Sequence, residues 1–182
     1  MENRVEILAV VGMSGSGKSE VVKILTERGW ARVYFGGMIY KEMEKRGIAI
    51  TPESQQEFRE RIRAEEGKDW VVRQAILAVY ELARAGQRKI VLDGVYSWTE
   101  YRILKHEFPG MMRVVAAVVP RELRYKRVGK RTERPFSEEE IRARDYSEIE
   151  NLEKGGPIAM ADEYILNDGT LEELGEKVRK ML

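Results

Sequence analysis

The 182 residues include no cysteine and a single histidine, and the two signs of charge nearly cancel, at 32 Lys+Arg against 31 Asp+Glu. The missing cysteine excludes a disulfide framework, a thiolate metal site and a cysteine nucleophile. His106 lies on a charge-rich segment far from every motif and reads as a surface side chain. A net charge of +1 supplies no electrostatic footprint for nucleic acid, so no such partner is expected. No apolar run approaches the length of a membrane span, and Met1-Glu2-Asn3-Arg4 leads directly into a strand-like segment rather than a signal peptide. A cytoplasmic protein with no membrane partner is expected. Internal repeats and low-complexity tracts are also missing. The length suits one domain with a core of its own.

What is present is concentrated near the N-terminus. Gly12-Met13-Ser14-Gly15-Ser16-Gly17-Lys18-Ser19 has the form G-x-x-x-x-G-K-S. It follows an apolar run (Val5, Ile7, Leu8, Ala9, Val10, Val11) and opens a segment with helical spacing (Val21, Val22, Ile24, Leu25). A nucleotide phosphate needs several backbone N–H groups aimed at one point, which requires glycines at bends that a Cβ blocks. It also needs a helix N-terminus behind those amides. Lys18 is expected to reach the β- and γ-phosphates and Ser19 to ligate Mg²⁺. ATP and Mg²⁺ are the expected cofactors.

Apolar strand-like runs appear at Val5–Val11, Arg32–Phe35, Lys89–Leu92, Arg113–Val119 and Tyr164–Leu166. Helical patterns alternate with them, which predicts an α/β fold on a buried parallel sheet. The first helix is expected to run from the phosphate loop to near Gly29, a second over Met38–Arg46, and a third from the cap signal Thr51-Pro52-Glu53-Ser54 to about Glu65. Further helices are predicted over Trp70–Ala85, Ser97–Phe108, Arg121–Arg131, Ser137–Asn151 and Leu171–Met181. The charge-dense stretches 38–68 and 121–156 read as a flap and a lid on a single domain. Trp30, Trp70 and Trp98 are expected in packing roles.

Lys89–Leu92 runs into Asp93-Gly94, an apolar strand ending in an acid. An Asp before Gly is a common turn former. Beside a phosphate loop, the same residue is placed to hold Mg²⁺ with Ser19, usually through water. The segment 121–144 is rich in arginine and lysine. Most such charges are a solvated face, but phosphoryl transfer is catalysed mainly by cations placed on developing charge. Arg127, Arg131, Arg134 and Arg144 are the candidates. Asp145 either orients Arg144 by ion pairing or is an ordinary surface acid.

The loop, the strand ending Leu92-Asp93-Gly94, the arginine-rich segment after Val119 and the tail Ala161-Asp162-Glu163-Tyr164-Ile165-Leu166-Asn167-Asp168-Gly169-Thr170-Leu171-Glu172-Glu173-Leu174 together resemble the P-loop nucleotide-kinase group. Within it, the chain is most similar to the archaeal adenylate-kinase-related family, which also resembles dephospho-coenzyme A kinases. That resemblance implies a five-stranded parallel sheet with helices on both faces, a small substrate flap and an arginine-rich lid. It also implies transfer of the γ-phosphoryl group of ATP to a nucleoside monophosphate or to dephospho-coenzyme A. Asn167, Asp168 and Gly169 then border the adenine.

Two positions depart from the family pattern. Related kinases commonly carry an arginine at the start of the substrate helix and another shortly after the Asp-Gly strand end. Here Tyr40 and Tyr96 stand there, and a phenol cannot make bidentate guanidinium contacts. Lys41, Arg59 and Arg63 are the candidates to compensate, and Tyr40 and Tyr96 are expected to line one cavity beside the phosphate loop. The departures leave a second reading open, an ATP-binding or slowly hydrolysing regulatory protein with a degenerate acceptor site. A GTP switch is disfavoured because the chain has neither N-K-x-D nor D-x-x-G. The acceptor, the preference for ATP over GTP and the oligomeric state stay open.

Overall fold

Five strands, β1 (Glu6–Val11), β2 (Ala31–Tyr34), β3 (Lys89–Asp93), β4 (Met112–Val118) and β5 (Glu163–Leu166), form one sheet in the order β2-β3-β1-β4-β5, with every neighbouring pair parallel. The structure is a computed structural model that describes residues 4–130 and 136–182. Side chains alternate between the two faces of the sheet, and both faces are covered. Ile7, Ala9 and Val11 share one core with Ile90, Leu92, Val114 and Ala116. Leu8 and Val10 share the other with Val91, Val115, Ala117 and Ile165. This two-sided burial is why the strands read as continuous apolar runs rather than as alternating ones.

Helices α4 (Trp70–Arg84) and α5 (Trp98–Glu107) close the first face through Val72, Ala75, Val79, Tyr101 and Leu104. Helices α1 (Lys18–Thr26) and α9 (Leu171–Met181) close the second through Val21, Val22, Leu25, Leu174 and Val178. The layered sheet with helices on both sides is the fold of P-loop kinases. Helices α2 (Phe35–Lys45) and α3 (Pro52–Glu66) pack on the start of α4 around a separate small cluster of Ile39, Met43, Phe58, Ile62 and Trp70. The Thr51–Ser54 capping box forms as its residues predict. Trp30 and Trp70 are buried, Trp98 stacks on Tyr101 with ring centroids 5.1 Å apart, and His106 is exposed.

Three departures from the expected elements bear on the site. Helix α2 starts at Phe35, three residues before Met38, and takes Gly36 and Gly37 into its first turn. Glycine weakens a helix interior, but here it admits close contact, since a Cβ at Gly36 would lie 2.6 Å from the Tyr34 ring. Helix α6 (Arg121–Gly129) stops before Arg131, and Arg131 and Arg134 lie outside the described residues. Helix α7 (Glu138–Glu150) is followed by α8 (Gly155–Ala159), a short helix that periodicity does not predict.

The register decides where chemistry can occur. Val10 of β1 is level with Asp93 of β3, and Val11 with Ala116 of β4. The chain leaves β1 toward α1 between the two neighbours of the central strand, the crevice where open parallel sheets hold ligands.

Candidate nucleotide-binding site

The phosphate loop is wedged among three elements. Gly15 (φ +85°) packs so tightly on α6 that a Cβ would stand 2.4 Å from Val128 Cγ2. Gly17 (φ +92°), the residue before α1, sits so close to Asn167 that a Cβ would fall 2.2 Å from its Nδ2. Both need glycine for the backbone angle and for the space. Asn167 Nδ2 donates to Ser16 O at 3.0 Å, tying the loop to the turn after β5. Ser16 Oγ is buried and, among the described residues, has no hydrogen-bond partner. The N-terminus of α1, the positive end of its dipole, stands behind the loop.

Lys18 folds back on the loop, with Nζ donating to Gly12 O at 2.8 Å and to Met13 O at 3.0 Å. Burial, reinforced by the positive charge of Lys154, lowers its pKa to about 8. A largely buried cation bonded to two loop carbonyls, with an orphaned hydroxyl nearby, is a donor set that a polyphosphate satisfies. The residues fit the expected nucleotide phosphates.

Because the folded pKa lies below the unfolded one, Lys18 favours folding progressively as pH rises from about 8 toward 10.5. A bound polyphosphate reverses the shift by stabilising the ammonium. Nucleotide binding above about pH 8 is therefore expected to take up a proton through Lys18, an uptake that shrinks as the pH falls below 8. Calorimetry in two buffers of different ionisation enthalpy measures this. Uptake that persists in Lys18→Met would assign the proton to another group.

Asp93 is buried at the end of β3 on the same side as α1, but it is not free. Arg32 of β2 holds it through Nε at 2.9 Å and through a second, closer contact from Nη2, and the guanidinium lies 4.5 Å from the Tyr34 ring centroid. Ser19 is exposed at the start of α1. Ser19 and Asp93 are the pair that would hold Mg²⁺, with Arg32 now bonded to the carboxylate. No group of three or more acidic or histidine side chains placed to hold a metal occurs among the described residues.

The lid arginines divide. Arg127 donates to Asn167 O at 2.6 Å and to Gly169 O at 2.8 Å. It thereby lines a cavity of about 270 Å³ with Gly15, Gly17, Glu20, Asn167, Gly169 and Leu171. The carbonyls of Asn167 and Gly169, expected to contact a base, are thus already engaged by Arg127. Asp168 is exposed and paired with Lys177 at 3.0 Å. Asp145 neither orients Arg144 nor lies on the surface. It is buried against Arg124, whose Nη1 donates to Asp145 Oδ1 at 2.7 Å and to Ser14 O at 3.0 Å. The reason is helical phase, since adjacent residues point about 100° apart around an α-helix. Arg144 faces Glu148 one turn on, at 3.2 Å.

Glu148 is 3% exposed and reaches the loop itself. It accepts from Ser14 N at 3.1 Å, from Ser14 Oγ at 2.6 Å and from Lys154 Nζ at 2.8 Å. Burial alone would raise its pKa, but the Lys154 charge and these hydrogen bonds overcome it and bring the value to about 2. Lys154 is buried, and its ammonium lies 4.8 Å from the Tyr96 ring centroid. Burial pushes the Tyr96 phenol strongly upward, with the nearby Asp93 charge adding to it. Tyr34 contacts Tyr40 edge-on with centroids 6.5 Å apart, and burial followed by Tyr40 raises its pKa. Lys41, Arg59 and Arg63 are exposed on the outer turns of α2 and α3.

Sequence reasoning missed Arg32, Arg124, Glu148 and Lys154. Only the four-residue spacing of Arg144 and Glu148 was visible as a local pairing signal. The contacts of the others span 21 to 134 residues and exist only after folding, apart from Lys154, whose partner Glu148 is separated from it by the end of α7.

Comparison with known proteins supports the same architecture. A family model described as an AAA domain matches residues 8–153. A UPF0200 protein of Thermococcus onnurineus is 36% identical over 97% of this chain and 96% of its own. Among solved structures, shikimate kinase from Bacteroides thetaiotaomicron superposes with a TM-score of 0.61 at 11% identity, covering 97% of this chain and 96% of that one. Dephospho-CoA kinase from Campylobacter jejuni gives a TM-score of 0.52 at 16% identity, covering 97% and 95%. At those identities the likeness to the kinases is one of fold. The family match across most of the length, with the near-complete alignment to the archaeal relative, makes this chain a member of the AAA-domain family and of the archaeal UPF0200 proteins.

Proposed function

We propose that the protein is a phosphotransferase that binds ATP with Mg²⁺ at the loop and phosphorylates a nucleotide or nucleotide-like acceptor. The observation that carries this reading is convergence. The loop amides, Lys18 and the buried carboxylate of Asp93 meet at the carboxyl end of β1 and β3 in a sheet shared with kinases. When bound, ATP·Mg²⁺ supplies the γ-phosphoryl group and the metal that neutralises its charge. Lys18 neutralises the β/γ-phosphates, Ser19 and Asp93 hold the metal, and Arg127 fixes the wall of the cavity behind the loop. Arg144 stands with Lys154 over the loop mouth.

On the acceptor side, Tyr34 and Tyr40 are in edge contact and Tyr96 lies near Tyr34 and Asp93. They suit a base or a pantetheine-like group held by stacking and apolar contact. Lys41, Arg59 and Arg63 are the flap cations available to a charged acceptor. A second reading, slow ATP hydrolysis without an acceptor, draws on one observation: Arg32 is paired with the carboxylate that the metal needs.

Incubation of the protein with γ-labelled ATP and AMP, CMP, UMP, dTMP or dephospho-coenzyme A, beside an acceptor-free control, tests the two. A labelled product formed at least about tenfold faster than free phosphate in the control is expected with one acceptor class. Release of phosphate at a rate no acceptor changes supports the hydrolytic reading instead.

A further inference from the structure

We infer that Ser14, Arg144 and Lys154 form a phosphoryl-binding position at the mouth of the loop, which the carboxylate of Glu148 fills until a ligand displaces it. The inference rests on the nucleotide-binding reading of the loop. Its ground is the donor set. One backbone N–H, one hydroxyl and two cations converge on a single carboxylate, at 3.1, 2.6, 3.2 and 2.8 Å. Three of the four donors share one oxygen, Glu148 Oε1. Two cations contact the one carboxylate, with Lys18 close by, while Glu100 acts on Lys154 and Asp93 on Lys18 from further away. A phosphoryl dianion with three terminal oxygens satisfies such a set better than a carboxylate does.

Among the described residues, Glu148 is one of two ties between α7 and the loop. Arg124 bridges Asp145 of α7 to Ser14 O, and Ile141 is buried beneath the same helix. The approach of Lys154 also shows a built arrangement. Glu153, the residue before it, has φ +54°, the one non-glycine in the left-handed region among the described residues. This turn directs Lys154 inward to the face of Tyr96. Backbone strain of this kind persists where the surrounding structure enforces it. A cation delivered from the α7–α8 corner therefore stands where the strand end carries a phenol instead of an arginine.

Calorimetric titration of inorganic phosphate, ADP and the non-hydrolysable ATP analogue AMP-PNP into the wild-type protein and into E148Q tests the inference. Glutamine keeps the shape and removes the competing charge. If the position receives the γ-phosphoryl group, the AMP-PNP to ADP affinity ratio is expected to rise about tenfold in E148Q. If it receives the acceptor's phosphate, that ratio stays put, and inorganic phosphate binds the AMP-PNP-loaded variant about tenfold more tightly than the loaded wild type. Either result supports the position. Phosphate and both nucleotides binding E148Q no more tightly than wild type would make Glu148 a brace and overturn it.

Should the wild type bind no nucleotide, the proposed function fails, while inorganic phosphate titrated into the free proteins still decides the inference. R144Q guards against a folding defect in E148Q, because the Arg144 side chain is half exposed. It is expected to weaken the same ligand severalfold with an unchanged thermal melt. Unchanged binding in R144Q would count against the position.

Discussion

Replacing Lys18 with alanine is expected to lower phosphoryl transfer about 10³-fold, the scale of losing a preorganised charge from a transition state. The fold should survive the change. Lys18 opens α1 and bonds only to carbonyls of its own loop, and its burial depresses its pKa, so the folded protein gains little from the ammonium. Alanine is also a good helix former. A thermal melt within a few degrees of wild type, beside nearly abolished turnover, is the expected pair of results. Near-normal turnover in the folded variant would remove the loop from the reaction.

Asp93→Asn should lower the rate about 10²-fold at saturating Mg²⁺, with nucleotide affinity changed no more than about twofold. The carboxylate stands level with the end of β1, beside the loop, and a neutral amide is a poor partner for a hard cation. Arg32 makes the test sharper. It holds the same carboxylate in the free protein, so the metal competes with a guanidinium. Arg32→Gln should reduce the Mg²⁺ concentration that gives half-maximal rate, and Mn²⁺ binding followed by electron paramagnetic resonance reads the same competition without turnover. An Asp93→Asn protein with wild-type rate and wild-type Mg²⁺ dependence would leave Asp93 as a turn residue. The Arg32 contact would then be a structural ion pair.

Glu148 enters the Lys18 argument through charge. It lies close enough to Lys18 to oppose the lowering of its pKa, and it neutralises Lys154, which contributes to that lowering. Removing one partner of a buried pair strands the other, at a cost of roughly 3–5 kcal/mol. E148Q keeps the shape but leaves the Lys154 ammonium without its counter-ion, so its thermal melt is read beside its binding.

Local physics made the scaffold legible before folding. Strands buried on both faces must be apolar at every position, so all five stood out to within about two residues. Glycines at positive φ followed by Lys-Ser declared the phosphate loop without reference to any other part of the chain, because backbone angle and helix start are properties of neighbouring residues. The same locality explains the Thr51–Ser54 cap. Pairings between elements were not legible. Asp145 read as the neighbour of Arg144, yet helical phase turns the two apart and gives Asp145 to Arg124 and Arg144 to Glu148. Arg32 read as the first residue of a strand until the parallel register brought β2 alongside β3 and its side chain onto Asp93. The counter-ion of a buried charge is chosen by whichever element packs against it, and that choice follows from sheet order and helix docking, which no window of sequence contains.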